Sequence, residues 1–251
     1  MIKPTKTTCV LLPRTIMMLL VWACLSACSS NDDAYPWLAE LDAGEGASDS
    51  GARLMALEDG LHPLESPSDA QEMLVGVHGY GSEGYEWVYP LQTLDSDQIG
   101  TWFYRWDYTG CPQPAAAALI QALQESTSAS TRRIHLVGHG YGGVLLAHLI
   151  ESWPLDIPVH IHVVASPVAG MEGGSRCDYQ PPSGIAPQVS VRQWRTRKEL
   201  DGAFKNMAED PQNLELAGSA VTRLPEEYRG RRLGHNWSIS WVAEQIAADR
   251  P

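Results

Sequence analysis

Positive charge is scarce in this sequence of 251 residues. It contains 18 lysines and arginines against 30 aspartates and glutamates, and its formal net charge is −12. Nucleic acids and anionic membrane surfaces attract basic proteins, so this balance argues against both as partners. The densest basic group, formed by Arg229, Arg231 and Arg232, fits a solvated loop better than a binding patch. We expect no nucleic-acid partner.

The apolar segment near the start of the chain, 15–25, is too short to span a bilayer permanently. Basic residues precede it, an arrangement typical of an export signal. It ends in Leu25-Ser26-Ala27-Cys28, which resembles the bacterial lipobox, whose cysteine is lipidated and becomes the mature N-terminus. An ordinary signal peptide, cleaved after the two small residues, is the alternative.

These features divide the chain into three parts. Residues 1–27 are predicted to be a lipoprotein signal peptide, and Cys28 is predicted to carry the lipid anchor. Ser29 follows Cys28 where an aspartate would retain a lipoprotein at the inner membrane. The resemblance therefore implies an outer-membrane lipoprotein that faces the periplasm or the cell surface.

Residues 28–70 are predicted to form a flexible tether. Within 31–70 there are ten acidic residues and one basic residue, Arg53, and small residues fill the spaces. Such a segment repels itself and buries little, so it should stay extended. Residues 71–251 then form the folded domain.

Cysteine is rare as well, with five in the chain. Cys9 and Cys24 would leave with the signal peptide and Cys28 would carry lipid. Only Cys111 and Cys177 would then remain, in an oxidising compartment. A disulfide between them and two separate thiols are both open, because sequence does not show their separation.

Within the domain, apolar strand-like segments alternate with helix-like segments. Strands are predicted at 72–77, 101–106, from 134 to the following glycines, 159–165, 189–194 and 219–224, and helices at 84–94, 115–124, 144–150 and 238–248, with a partly helical segment at 204–216. This alternation predicts an α/β fold with a mostly parallel sheet and helices on both faces. Its ligand site should lie beyond the carboxyl ends of the strands.

A glycine-dense turn separates the strand that starts at Ile134 from the apolar run that follows it. The turn contains Gly138-His139-Gly140-Tyr141-Gly142, which resembles the G-x-S-x-G nucleophile elbow of the α/β-hydrolases. In that family a serine sits on a strained turn between strand and helix. Here Gly140 occupies the position of the serine.

Two further motifs extend the resemblance over residues 72–248. His78-Gly79-Tyr80-Gly81 follows a strand, as the H-G-x-G oxyanion loop does, and Leu233-Gly234-His235-Asn236 precedes the last helix, where the family carries its histidine. The chain thus looks like a minimal lipase- or esterase-like α/β-hydrolase that lacks the first two strands. The resemblance implies that His235 is the triad histidine and that the backbone N–H groups of Tyr80 and Tyr141 form the oxyanion hole.

The acid of the triad should follow the strand at 189–194. Asp201 is our choice, because a short carboxylate before a glycine turn can be aimed rigidly, whereas Glu199 and Asp210 are alternatives. In the family this acid orients the histidine and stabilises its cation.

Gly140 lacks the hydroxyl that acyl transfer by this mechanism needs. Ser82, on the oxyanion loop, and Ser166, after a different strand, are not obvious replacements. Three interpretations stay open. The domain binds a ligand, lipid or protein partner without catalysis, or it retains weak chemistry through His235, an acid and a water molecule. In the third, the sequence is one variant of an active lineage.

A dinucleotide-binding site and a metal site are the other classes considered. The elbow also reads G-x-G-x-x-G, but the next strand ends in Val164-Ala165-Ser166, without the carboxylate that binds a ribose. No spacing of cysteine and histidine resembles a zinc site. We therefore predict no cofactor and no metal.

The resemblance to lipases and esterases implies an ester or acyl ligand or a lipid. We expect its pocket to be surrounded by four aromatic residues, namely Tyr80, Tyr85, Trp87 and Tyr141.

Overall fold

The computed structural model describes residues 37–65, 70–171 and 177–250. The predicted signal peptide, Cys28 and the first residues of the predicted tether lie outside these ranges. Within them, no helix combines the length and the apolar character needed to cross a bilayer.

The described residues contain a seven-stranded sheet with the strand order β1-β3-β2-β4-β5-β6-β7. Its strands are β1 (Gly60–Pro63), β2 (Glu72–Val77), β3 (Ile99–Arg105), β4 (Arg133–His139), β5 (Val159–Val164), β6 (Val189–Arg195) and β7 (Ala220–Arg223). Strand β1 pairs with β3 in antiparallel register, and every other pairing is parallel. The predicted mostly parallel sheet is therefore confirmed, with one antiparallel edge strand that the sequence reading omitted.

Helices cover both faces of the sheet, as predicted. The described helices are α1 (Ala47–Met55), α2 (Tyr85–Leu94), α3 (Pro112–Ser126), α4 (Tyr141–Ala147) and α5 (Ser238–Ala248). One apolar core contains buried side chains of α1, α2 and α5, and a second contains those of α3 and α4. Burial of both faces explains why β2 and β4 read as nearly continuous apolar runs.

The prediction of an extended tether is wrong for residues 37–63. This segment contains a 3₁₀ turn at Leu38–Glu40, helix α1 and strand β1. Four leucines that are sparse in the sequence are buried in the structure: Leu38, Leu41, Leu54 and Leu64. The acidic residues face solvent, and the Arg53 guanidinium stacks 3.9 Å from the Trp37 ring centre. Burial of these few leucines therefore folds the segment onto the domain in spite of its acidic composition.

Two segments near the C-terminal end also differ from the prediction. Residues 204–216 form turns rather than a partly helical segment. The basic group around Arg229 forms a hairpin rather than a loop, with strands β8 (Glu227–Tyr228) and β9 (Arg231–Arg232). Both residues at its turn, Arg229 and Gly230, have positive φ angles.

The structure joins Cys111 and Cys177 through a disulfide, with their Cα atoms 5.7 Å apart. Cys111 directly precedes α3, at its N-cap position. The bond ties the start of this helix to the segment that leads towards β6.

Strand β5 buries an uncharged histidine in the core. The His162 Nδ1 accepts the indole N–H of Trp194 at 3.1 Å, so this nitrogen carries no proton. Burial, together with the neighbouring His135 and His160, lowers the pKa of His162 from 6.5 to about 3. The folded chain therefore holds this ring neutral.

We predict that His162 makes the native state less stable in mild acid. Its pKa is about 3 in the folded chain against 6.5 when unfolded, so below pH 6.5 only the unfolded chain takes up this proton. In His162→Gln the amide oxygen can still accept the indole N–H, but this titration is gone. The free energy of unfolding of the native chain, relative to the variant, should fall by about 1.4 kcal/mol per pH unit as the pH drops from about 6.5 towards 3. Urea unfolding of both proteins at several pH values tests this, and parallel pH profiles would contradict it.

Candidate active site

The elbow lies where β4 ends and α4 begins. Gly140 links them with φ 54° and ψ −121°, a conformation that glycine adopts readily and other residues adopt under strain. Its backbone N–H donates to the Val164 carbonyl of the neighbouring strand at 2.9 Å. The turn therefore has the sharp strand-to-helix geometry that the motif predicts.

The structure brings Asp201 and His235 together. The Nδ1 of His235 lies 3.0 Å from Asp201 Oδ2. Asp201 is completely buried and also accepts the Thr196 hydroxyl at 2.6 Å and the Ala203 N–H at 2.8 Å. Of the two alternative acids, Glu199 is exposed and Asp210 pairs with Arg223 at 3.0 Å.

These hydrogen bonds keep the Asp201 carboxylate charged. Burial alone would raise the pKa of Asp201, but the hydrogen bonds from His235, Thr196 and Ala203 outweigh it and lower the pKa. A carboxylate only accepts, so Nδ1 of His235 carries the proton of this bond. The Nε2 of the neutral ring is then the basic nitrogen.

The basic nitrogen of His235 faces the elbow. A Cβ atom built on Gly140 would lie 3.2 Å from His235 Nε2. A side chain at position 140 would therefore point at the histidine, and a hydroxyl there would be within reach of a hydrogen bond. The predicted acid and histidine thus lie together beside the elbow, but the residue that faces His235 Nε2 has no side chain.

Strand β2 leads into the predicted oxyanion loop, which His78 anchors. Arg105 and the Trp106 N–H both donate to His78 Nε2, at 2.8 and 3.3 Å, so Nδ1 carries the proton and donates to the Gly79 carbonyl at 3.1 Å. Burial lowers the pKa of His78 to about 4, and the charge of Arg105 acts in the same direction. The ring is neutral and fixes the loop.

The loop packs directly on the elbow. A Cβ atom on Gly79 would lie 2.7 Å from the His139 carbonyl oxygen and 3.1 Å from the Tyr141 nitrogen, so only glycine fits there. Tyr80, the next residue, and Tyr141 both line the cavity above Gly140. The two residues predicted to supply the oxyanion-hole amides thus border one space.

Two residues beside the elbow stabilise the site, although their roles were not predicted. The Ser166 hydroxyl is buried and donates to the Gly140 carbonyl. The His139 ring is also buried, and its Nε2 donates to the His235 carbonyl at 3.1 Å. Burial lowers the pKa of His139 to about 3, and the nearby His235 contributes, so this ring stays neutral. Neither contact has a local sequence signal, because the partners come from different elements.

A cavity of about 420 Å³ lies above Gly140 and His235. Its walls are mostly aromatic rings and thioethers: Tyr80, Tyr108, Tyr141, Met171, Phe204 and Met207. The prediction that Trp87 borders the pocket is wrong, because this side chain is fully buried in the core against Phe103. Tyr85 lies at the surface, where its hydroxyl accepts the Asn236 side-chain N–H at 3.0 Å.

The part of the chain that the structure describes contains no group of three or more histidine, cysteine, aspartate or glutamate residues that could hold a metal ion. The dinucleotide alternative gains nothing from the fold, because the glycine turn after β4 is packed under the His78 loop.

Residues 74–246 match the model of the alpha/beta hydrolase family. Because this match covers most of the sequence, the chain belongs to that family, and the predicted α/β-hydrolase fold is confirmed. A search of curated proteins finds no match.

Solved structures show the same fold at low sequence identity. Est1E from Butyrivibrio proteoclasticus is 13% identical, with 75% of this chain and 90% of that chain covered and a TM-score of 0.50. A candidate thioesterase from Silicibacter sp. TM1040 is also 13% identical, with 90% and 96% covered and a TM-score of 0.50.

Proposed function

We propose that this chain is an esterase-like domain that binds an ester or acyl ligand above Gly140 and does not form an acyl-serine intermediate. One observation carries the proposal. His235 Nε2 lies 3.2 Å from the Cβ that a residue at position 140 would have, with Asp201 bonded behind it, and yet position 140 has no side chain.

The cavity supports ligand binding. At about 420 Å³ it falls in the size range of small-molecule sites, roughly 300–1,000 Å³. Its apolar wall suits an acyl chain, and His235, Tyr80 and Tyr141 line it as well. In the proposed complex the ester carbonyl of the ligand lies over Gly140.

The neighbouring serines do not replace the missing nucleophile. The Ser166 hydroxyl donates its proton to the Gly140 carbonyl and is 3% exposed. The Ser82 hydroxyl bonds to the Glu86 carboxyl. Neither bonds to His235, the base that would have to activate it.

The second candidate function is slow hydrolysis by water. His235, oriented by Asp201, could act as a general base on a water molecule in the space that a side chain at position 140 would occupy. In triad enzymes that lose their nucleophile, binding and the oxyanion hole alone still give about 10³–10⁴-fold acceleration over water. This reaction would depend on His235 and involve no covalent intermediate.

The proposal includes a place in the cell envelope. Leu25-Ser26-Ala27-Cys28 supports lipidation at Cys28 and anchoring to the outer membrane. The disulfide between Cys111 and Cys177 suits an oxidising compartment. A protein partner at the membrane is compatible with this location.

We predict that a fluorophosphonate probe does not label the native chain and that Gly140→Ser gains labelling. The new hydroxyl would face His235 Nε2, so the double variant with His235→Ala should lose the gain. Gly140→Ala is the matched control, because it adds the same Cβ on the same strained backbone without the hydroxyl. Labelling is measured by in-gel fluorescence and its position by mass spectrometry, with circular dichroism to show that each variant folds.

Labelling of the native chain at any residue of the domain would contradict the loss of covalent catalysis. A folded Gly140→Ser variant that stays unlabelled would contradict the inferred geometry. Turnover of a p-nitrophenyl ester by the native chain, above that of His235→Ala, would favour the second candidate function.

We predict that Cys28 anchors the protein. When the full chain is expressed in a Gram-negative host, it should incorporate labelled palmitate and sediment with membranes. Cys28→Ser should do neither and should appear in the soluble periplasmic fraction. Cys24→Ser, four residues earlier in the apolar segment, is the control and should behave like the native chain. Equal fractionation of the two variants would contradict lipidation at Cys28.

A further inference from the structure

A buried carboxyl group lies in the wall of the cavity, outside the Asp201–His235 pair. Glu86, in the first turn of α2, is 6% exposed and lines the cavity together with Ser82. The Ser82 hydroxyl bonds to Glu86 Oε1. Within the described residues, Glu86 Oε2 is buried without a hydrogen-bond partner.

An unpartnered buried oxygen calls for an explanation, because folded proteins pair most buried polar atoms. The carboxyl lies at the start of α2, where the backbone N–H groups of Glu86 and Gly84 act to lower its pKa against the effect of burial, but Oε2 is left without a hydrogen bond from the described residues. Helix α2 buries its apolar side through Trp87, Val88 and Leu91, and the Glu86 carboxyl packs against the cavity instead. Because Glu86 and Ser82 both line the cavity, a ligand there is the candidate partner for this oxygen.

When the Glu86 carboxyl is protonated, the pair has one hydrogen-bond donor to spare. Burial is the main reason that the pKa of Glu86 is raised, and the charge of Glu83 also raises it, against the lowering effect of the Ser82 hydrogen bond. In its neutral form Glu86 has one O–H group and Ser82 has another, and the bond between them uses one. The Gly84 N–H occupies an acceptor position of Ser82 at 3.2 Å. The second O–H is therefore available to a ligand oxygen, and the carboxyl can also accept a hydrogen bond.

We propose that Ser82 and Glu86 form a second polar subsite, which binds a hydroxyl group of the ligand and selects hydroxylated esters over plain alkyl esters. The subsite both donates and accepts hydrogen bonds, as a hydroxyl group does. Ser82 lies two residues after Tyr80 on the His78 loop, so the subsite adjoins the predicted oxyanion hole. The rest of the cavity wall is largely apolar and suits the acyl chain.

This subsite rests on the proposed ligand binding, and a matched pair of ligands separates the two. Glycerol 1-octanoate and propyl octanoate have the same carbon skeleton and differ by two hydroxyl groups. An apolar wall alone would favour propyl octanoate, because hydroxyl groups lose their water on burial. Calorimetric titration of the native full chain should instead give a Kd at least tenfold lower for glycerol 1-octanoate.

Three variants locate the effect. Glu86→Met keeps the length of the side chain without its hydrogen bonds, so it should abolish the preference and leave the Kd for propyl octanoate within twofold. Glu86→Gln still donates and accepts, and it should keep most of the preference. Ser82→Ala, which leaves Glu86 in place, should weaken glycerol 1-octanoate alone and tests the subsite if Glu86→Met does not fold.

Equal affinities of the native chain for the two esters would overturn the subsite while leaving the proposed function intact. The subsite would also be overturned if Glu86→Met and Ser82→Ala weakened the binding of both esters equally, because that result would show that the two residues act only in packing. If neither ester binds the native chain, the proposed function fails, and the subsite fails with it.

Discussion

The hydrogen bond between Asp201 and His235 is the constraint on which the site depends. Asp201 is held below the surface by three donors from separate positions, and its charge fixes the proton of His235 on Nδ1. The other ring nitrogen is then basic and points at Gly140. The parallel sheet makes this bond possible, because the elbow follows β4 and Asp201 follows β6 at the same edge of the sheet. The site is built as it would be around a nucleophile.

Glycine at position 140 suits the backbone angles of the turn, but it has no side chain with which acyl transfer could proceed. The angles of this turn would strain any other residue by about 1–3 kcal/mol, and glycine adopts them without that strain. The surroundings of the turn do not depend on a side chain at this position. The Ser166 hydroxyl bonds to the Gly140 carbonyl, and Gly79 packs on the elbow backbone. The fold therefore holds Asp201, His235 and the His78 loop in place without a side chain at position 140, as the proposed ligand binding requires.

The sequence predicted those parts of the fold whose signal is local. Apolar runs that end in glycine turns predicted β2, β4 and the elbow. The order of these elements along the chain predicted the parallel sheet and the position of His235. The choice among Asp201, Glu199 and Asp210 needed tertiary structure, since only the folded chain shows which carboxylate is buried. The Ser166 hydroxyl bonds to the carbonyl of Gly140, 26 residues earlier in the chain, and left no local pattern. The segment 37–63 was misjudged because its acidic residues outnumber the few leucines that fix it to the domain.

The crystal structure of the Gly140→Ser variant, after reaction with an alkyl phosphonate, tests the central claim most directly. The account predicts phosphorus bonded to the new side-chain oxygen at position 140 and the phosphoryl oxygen within hydrogen-bond distance of the Tyr80 and Tyr141 amides. It also predicts His235 Nε2 beside the bond that has formed, with Asp201 still on Nδ1. An adduct on any other residue would contradict a site that lacks only its nucleophile, as would a phosphoryl oxygen turned away from both amides.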